Sequence, residues 1–148
     1  MSRPLTVYRI EHCLTGYGPW NTARWNERHV AFDKLDGISE KFYINMKELP
    51  VPSSDGVSLR AVSIYDTHRS RAQWYCAFLR IGRLINIITK EDIDVLRKHG
   101  YRILELKVTE YQTGNCQALY TKKSVKSKAD ITDLVYEKAK NNNGELIN

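Results

Sequence analysis

Apolar positions recur with a helical period in two stretches in the middle of the chain. The pattern predicts helices near residues 81–88 and 90–99. Thr89 and Asp92, three residues apart, are typical of a capping box at the start of the second helix. Gly100 suits the end of that helix, because glycine tolerates left-handed backbone angles.

A period of two then predicts strands. It is clearest in Tyr101–Val108, where Leu104, Leu106 and Val108 share one face. Residues 115–122 also read as a strand and are expected to pair with Tyr101–Val108. Shorter runs rich in strand-forming residues predict further strands at 6–13, 57–65 and 72–78, and a hairpin of 29–32 with 41–44 around Asp36 and Gly37.

The first predicted strand carries charge on one of its faces. Tyr8, Ile10 and His12 form the better core face, and Arg9 and Glu11 lie on the other. We expect an exposed ion pair on an edge strand, with a ligand-facing Arg9 as the alternative.

A basic segment lies in the C-terminal part of the sequence. Its lysines at 122, 123, 126 and 128 precede an amphipathic helix predicted over 129–140, most clearly over 131–140. One face of this helix carries the apolar residues Ile131, Leu134, Val135 and Ala139. The patterns together predict an α+β fold, a single domain with an antiparallel or mixed sheet and about three helices. Residues 7–123 are expected to form the core domain, and residues 124–148 a basic C-terminal helix and tail.

Composition narrows the class of protein. The 148 residues are 42% hydrophobic and 27% charged, as in ordinary globular domains. No apolar run reaches the roughly 20 residues of a membrane span, and the start lacks a signal peptide, so we expect a cytoplasmic protein without a membrane partner. The net charge of +6 favours an acidic partner, either nucleic acid or a protein surface.

Catalytic and metal-binding motifs are absent from the sequence. It has no zinc-ligand spacing, no P-loop and no Gly-x-Ser-x-Gly elbow, so no catalytic residue, metal or cofactor is predicted, and a binding protein is favoured over an enzyme. Basic side chains near aromatic ones can hold phosphates and stack bases. The candidate nucleic-acid or partner surface therefore comprises Arg69, Arg71, Trp74, Arg80, Arg83, Lys122, Lys123 and Lys126.

Several short segments together carry a resemblance to a known family. They are Val-Tyr-Arg-Ile-Glu-His at 7–12, Thr-Gly-Tyr-Gly-Pro at 15–19, Pro-Val-Pro-Ser-Ser-Asp-Gly at 50–56, Tyr-Cys-Ala-Phe at 75–78, Gly-Tyr-Arg-Ile at 100–103 and Gln-Ala-Leu-Tyr at 117–120. Over about residues 7–123 the chain resembles a family of small phage- and prophage-encoded proteins of unassigned function. The resemblance implies an accessory gene product that acts in the host cytoplasm, docking on a host protein or nucleic acid to inhibit or modulate it.

A weaker resemblance is to the ADP-ribosyltransferase fold. It rests on Tyr8-Arg9 in the first strand and on Gln117 at the start of a late strand, where the glutamate of that fold is missing. It implies an enzyme or nucleotide sensor for NAD or another adenine nucleotide. Arg9 would hold a phosphate, Tyr17 would stack on a ring and Gln117 would bind ribose, with Trp20 as a further candidate for ligand contact.

Overall fold

A computed structural model describes residues 3–14, 35–47, 56 and 74–141 of the chain. The segments predicted as strands at 29–32 and 57–65 lie outside these residues. The described elements are β1 (Leu5–His12), α1 (Glu40–Lys47), β2 (Trp74–Phe78), α2 (Ile81–Ile87), α3 (Lys90–Lys98), β3 (Tyr101–Val108), β4 (Tyr111–Thr113), β5 (Gln117–Thr121), a 3-10 turn (Lys122–Ser124), β6 (Val125–Asp130) and α4 (Thr132–Lys138).

The strands that the structure describes form an antiparallel sheet of six in the order β4-β5-β2-β1-β3-β6. Four helices accompany it among the described residues. The predicted α+β class is therefore confirmed, and so are the helices expected near 81–88 and 90–99. Within the described residues, no helix has the length and apolar character needed to cross a membrane.

The chain divides into two compact units. Unit 1 comprises Met1–Arg9, Pro50–Ile81 and Glu105–Ala129, and unit 2 comprises Ile10–Leu49, Gly82–Leu104 and Asp130–Asn148. The division at residue 124 into a core and a basic tail stays a prediction.

The pairing of β5 differs from the sequence-based expectation. β5 pairs with β2 and β4, and in the strand order it is not a neighbour of β3. Gly114 N donates to Gln117 O over 2.8 Å and closes a hairpin between β4 and β5. A local turn brings neighbouring segments together at low entropic cost, which explains why the hairpin forms instead of the predicted pairing with β3.

The expected exposed ion pair on β1 is wrong. β1 lies between β2 and β3 in the sheet, so it is not an edge strand. Arg9 is only 2% exposed and Glu11 only 8%. Ile10 on the predicted core face and Val7 on the charged face are both fully buried, because an interior strand can be covered on both faces.

In unit 2, residues 41–44 belong to helix α1 and not to the predicted strand. The turn at Asp36 and Gly37 is present, with Gly37 at a φ of +91°. Ser39 then caps the helix, since its Oγ accepts a hydrogen bond from Phe42 N at 3.1 Å. The aromatic run of α1 resembles a strand in composition, and the cap overrides that local preference.

The predicted capping box at the start of α3 is confirmed. Thr89 Oγ1 accepts from Asp92 N at 3.1 Å, and Asp92 Oδ2 accepts from Thr89 N at 3.0 Å. The same carboxylate also accepts from Ser39 N at 2.8 Å and from Ser39 Oγ at 2.9 Å. Asp92, which is 1% exposed, therefore fastens the starts of α1 and α3 to each other.

Gly100 ends the α3 segment as predicted, with a φ of +90°. Cys13 N donates to Gly100 O at 3.0 Å, which brings β1 alongside. A Cβ at Gly100 would lie 2.5 Å from His12 Nε2. Both the backbone angle and the close ring therefore require glycine here.

The C-terminal helix is shorter than predicted. Residues 125–130 form β6, and the helix covers only Thr132–Lys138. Val135 and Ala139 are fully buried, whereas Leu134, expected on the same face, is 42% exposed. The helix therefore buries a narrower stripe than its sequence pattern indicates.

Replacing Asp92 should destabilise the fold. We expect Asp92→Ala to lower the free energy of unfolding by about 3 kcal/mol, because it leaves two helix starts with unsatisfied donors. Asp92→Asn should cost less, since the amide keeps one acceptor oxygen. Asp94→Ala, at an exposed position of the same helix, is the control and should stay within about 0.5 kcal/mol in urea unfolding. Equal losses for Asp92→Ala and Asp94→Ala would contradict this role.

Two glycine variants should move stability in opposite directions. Gly100→Ala should cost more than about 1 kcal/mol, because alanine is strained at positive φ and its Cβ meets the His12 ring. Gly82→Ala, in helix α2 with nothing within 4 Å of its Cβ, should gain about 0.5 kcal/mol. Thermal unfolding of both variants checks the pair, and a neutral Gly100→Ala would refute the steric argument.

Candidate partner-binding surface

A basic surface of the described chain lies at one end of the sheet order. It consists of four exposed lysines, on the 3-10 turn and on β6, which we name the lysine edge: Lys122, Lys123, Lys126 and Lys128. β6 is the last strand in the order, and five of its six residues are exposed. All four lysines belong to unit 1.

Hydrogen bonds of the buried side chains of Thr121 and Ser124 hold the turn that carries the first two lysines. Ser124 Oγ donates to Thr121 O at 2.9 Å, and Thr121 Oγ1 donates to Glu110 Oε1 at 2.7 Å. Thr109 N donates to Ser124 O at 3.2 Å and ties the turn to the residue after β3. Thr121 and Ser124 are 3% and 5% exposed, whereas Glu110 is exposed, so the network runs from the interior to the surface beside the turn.

Spacing and charge define what the lysine edge can hold. Lys126 and Lys128 are two residues apart on a strand, so their Cα atoms repeat at about 6.8 Å on one face. No acidic residue interrupts the segment 122–129. Lys107, on the neighbouring strand β3, is exposed as well. Such a row of ammonium groups can contact successive phosphates or carboxylates of an extended anion.

The other residues predicted for this surface are scattered or not described. Arg80 follows β2 and Arg83 lies in α2, and both are exposed. Only the backbone of Trp74 is described, at the start of β2. Arg69 and Arg71 of this surface lie outside the described residues, and so do Tyr17 and Trp20, which were predicted to contact a ligand.

Arg9, the candidate phosphate ligand, is engaged within unit 1. Its Nη1 donates to Cys76 O at 2.7 Å, and its guanidinium carbon lies 4.9 Å from the centre of the Tyr75 ring. Tyr75 in turn packs against Tyr120, its partner on β5, with ring centroids 5.9 Å apart. These contacts bury the cation and give it a structural role in the sheet.

Gln117, the other candidate ligand residue, lies on the opposite face of the sheet. The register sets Tyr8 opposite Phe78 and Phe78 opposite Gln117, so these three side chains share a face that Arg9 does not. Arg9 and Gln117 are therefore not arranged to hold one nucleotide.

Burial raises the pKa of the Tyr8 hydroxyl, and the nearby Glu105 carboxylate raises it further.

Sequence reasoning missed that much of the lysine run forms a strand. Lys-Ser-Lys-Ala-Asp has weak strand propensity, which hides β6. The alternation of Lys126 and Lys128 was the available signal. Within the described parts of the chain, no group of His, Cys, Asp or Glu side chains could hold a metal ion.

A family model described as the bacteriophage T4 Y00F protein matches residues 1–133. Among curated proteins and solved structures, none matches the chain.

Removing the buried Arg9 side chain should affect stability strongly. We expect Arg9→Ala to lower the free energy of unfolding by about 3 kcal/mol, because the stacking on Tyr75 and the bond to Cys76 O are lost and a cavity is left. Arg80→Ala removes the same charge from an exposed position and should change stability by less than about 0.5 kcal/mol. Chemical unfolding measures both, and a mild Arg9→Ala would mean that Arg9 is not a structural cation.

Proposed function

The chain belongs to the bacteriophage T4 Y00F protein family, a phage family, and from this premise we propose that it is a phage accessory protein that binds the phosphate backbone of nucleic acid. The observation that carries the proposal is the lysine edge, four exposed lysines on a turn and strand whose backbone is fixed.

The composition of the lysine edge supports nucleic acid over a protein partner. Cores of protein–protein interfaces are depleted in lysine and enriched in aromatic residues, methionine and arginine. Residues 122–130 contain four lysines and none of those enriched types. Lysine binds phosphate as a point charge, and phosphate contacts provide most non-specific affinity for nucleic acids.

The same composition supports binding without sequence preference. Bidentate readout of adenine uses asparagine or glutamine, the planar fork of arginine suits guanine, and stacking on single strands uses aromatic rings. The segment 122–130 has none of them. The proposed activity is therefore to occupy or shield nucleic acid during infection, in keeping with an accessory role.

A nucleotide-handling enzyme, the other hypothesis from the sequence, has less support. Such an enzyme would need the side chains of Arg9 and Gln117 to contact the same ligand, and the strand register sets them on opposite faces of the sheet. An acidic host protein remains the competing partner for the lysine edge, and salt dependence separates it from nucleic acid.

Removing two edge lysines should weaken binding and its salt dependence. Affinity for labelled duplex DNA should fall with salt at a log–log slope of up to about −3.6 for four lysines, since each neutralised phosphate contributes about −0.9. Lys123→Gln/Lys126→Gln should reduce the slope to about −1.8. The control Arg3→Gln/Lys98→Gln removes the same charge from two exposed positions and should keep the wild-type slope. Fluorescence anisotropy at five salt concentrations measures this.

Three outcomes would contradict the proposal. If both double variants lose affinity equally, net charge alone attracts the DNA. If neither variant changes affinity but the edge variant self-associates, the lysines only protect an exposed strand from pairing. If DNA does not bind while an acidic host protein binds the lysine edge, the partner is a protein.

A further inference from the structure

Unit 2 contains a cleft that the proposed function does not use. Its volume is about 430 Å³, within the roughly 300–1,000 Å³ of small-molecule pockets. Three parts of the chain line it: the start of α1, the segment from the end of α2 to Thr89, and the end of α4 with the residues that follow, namely Lys138, Lys140 and Asn141. The cleft shares no residue with the lysine edge.

Charge in the cleft is of one sign. Lys41, Lys138 and Lys140 line it, and all three are exposed. None of the described residues that line it is acidic. Three lysines without a carboxylate among the lining residues form a site for an anion. The charge of a phosphate monoester, about −1.5 to −2 at pH 7, fits them better than a single carboxylate.

Part of the cleft lining is apolar, on the segment from Ile85 to Ile88, which also carries the polar Asn86. Ile85 and Ile87 are half-buried there, and Ile88 is 2% exposed. A free inorganic ion would leave this surface unused. A ligand with an apolar part attached to its anionic group would contact both the isoleucines and the lysines, and small-molecule sites usually combine an apolar lining with a few polar groups.

The hydroxyls at the cleft are already in use. Ser39 and Thr89 line it, and both donate to the Asp92 carboxylate. The helix starts that they cap are therefore occupied by an internal anion. What remains for an external anion is the charge of the lysines and the amide of the exposed Asn86.

The rim that carries Lys138 and Lys140 is held in place. Lys90 N donates to Lys140 O at 2.9 Å, and Thr89 and Lys140 form a parallel bridge. The Lys90 ammonium, on a side chain that is 7% exposed, bonds to the carbonyl oxygens of Tyr136 and Glu137. It thereby neutralises the negative end of α4 next to the cleft.

We propose that this cleft binds a phosphorylated small molecule. The phosphate lies among Lys41, Lys138 and Lys140, and the organic part lies on Ile85 and Ile87. The backbone of the rim is preorganised, so binding requires only that the lysine side chains order.

A titration with three simple probes tests the proposal on the full chain. Phenyl phosphate carries both features, inorganic phosphate lacks the apolar part, and benzoate carries a carboxylate. Amide signals in two-dimensional NMR should shift for residues 85–89 and 138–141 with phenyl phosphate. Its Kd should be at least about tenfold lower than that of either other probe, which corresponds to about 1.4 kcal/mol.

Charge variants complete the test. Lys138→Gln and Lys140→Gln should each raise the Kd of phenyl phosphate severalfold, while Lys98→Gln, an exposed lysine of α3 outside the cleft, should not. Unchanged unfolding curves show that the variants are folded. Equal affinity for benzoate would overturn the phosphate assignment. Absence of shifts at the cleft, or equal effects of all three variants, would overturn the site itself. Because the lysine edge is intact in these variants, their DNA binding reports on the proposed function separately.

Discussion

The Asp92 carboxylate is the contact on which the architecture of unit 2 depends. A buried carboxylate is costly unless donors replace its hydration. Here the donors are the N–H and hydroxyl groups of Ser39 and Thr89, so the compensation comes from the two residues that begin α1 and α3. Satisfying one charge therefore sets where both helices start. The same geometry shapes the cleft, because Ser39 and Thr89 line it and Thr89 forms a parallel bridge with Lys140.

Cations serve two different purposes in this chain, and burial separates them. Arg9 is buried in the sheet, where its guanidinium stacks on the Tyr75 ring and donates a hydrogen bond to the carbonyl of Cys76. A cation in that position contributes to folding, since its interactions are made in a poorly solvated site where they are strong. The lysines of the edge and of the cleft are exposed, and exposed ion pairs contribute little to stability. Their charge can instead attract an anionic partner over a Debye length.

The failures of the sequence-based predictions have a common physical origin. Residues 41–44 have strand-like composition, yet Ser39 and the distant Asp92 make them helical. β5 was expected beside β3, and the hairpin with β4 directs it to β2 instead. Arg9 was expected in solvent, and instead it is buried against Tyr75 and Cys76 of the neighbouring strand β2. In each case a contact between segments far apart, or a turn between close ones, outweighed local pattern.

The sequence alone determined the elements whose signals are local. The capping box at Thr89, the left-handed Gly100 and the alternation in Tyr101–Val108 all involve residues within a few positions of each other, so period and side-chain chemistry suffice. The phage family was also visible in short segments of sequence. Only the tertiary structure decided that the lysine run lies on the last strand of the sheet order, that Arg9 and Gln117 face opposite sides, and that three lysines from two segments share a cleft. Those relations depend on strand order and register, which arise from burial and hydrogen bonding summed over the whole sheet. The residue type at any single position does not reveal them.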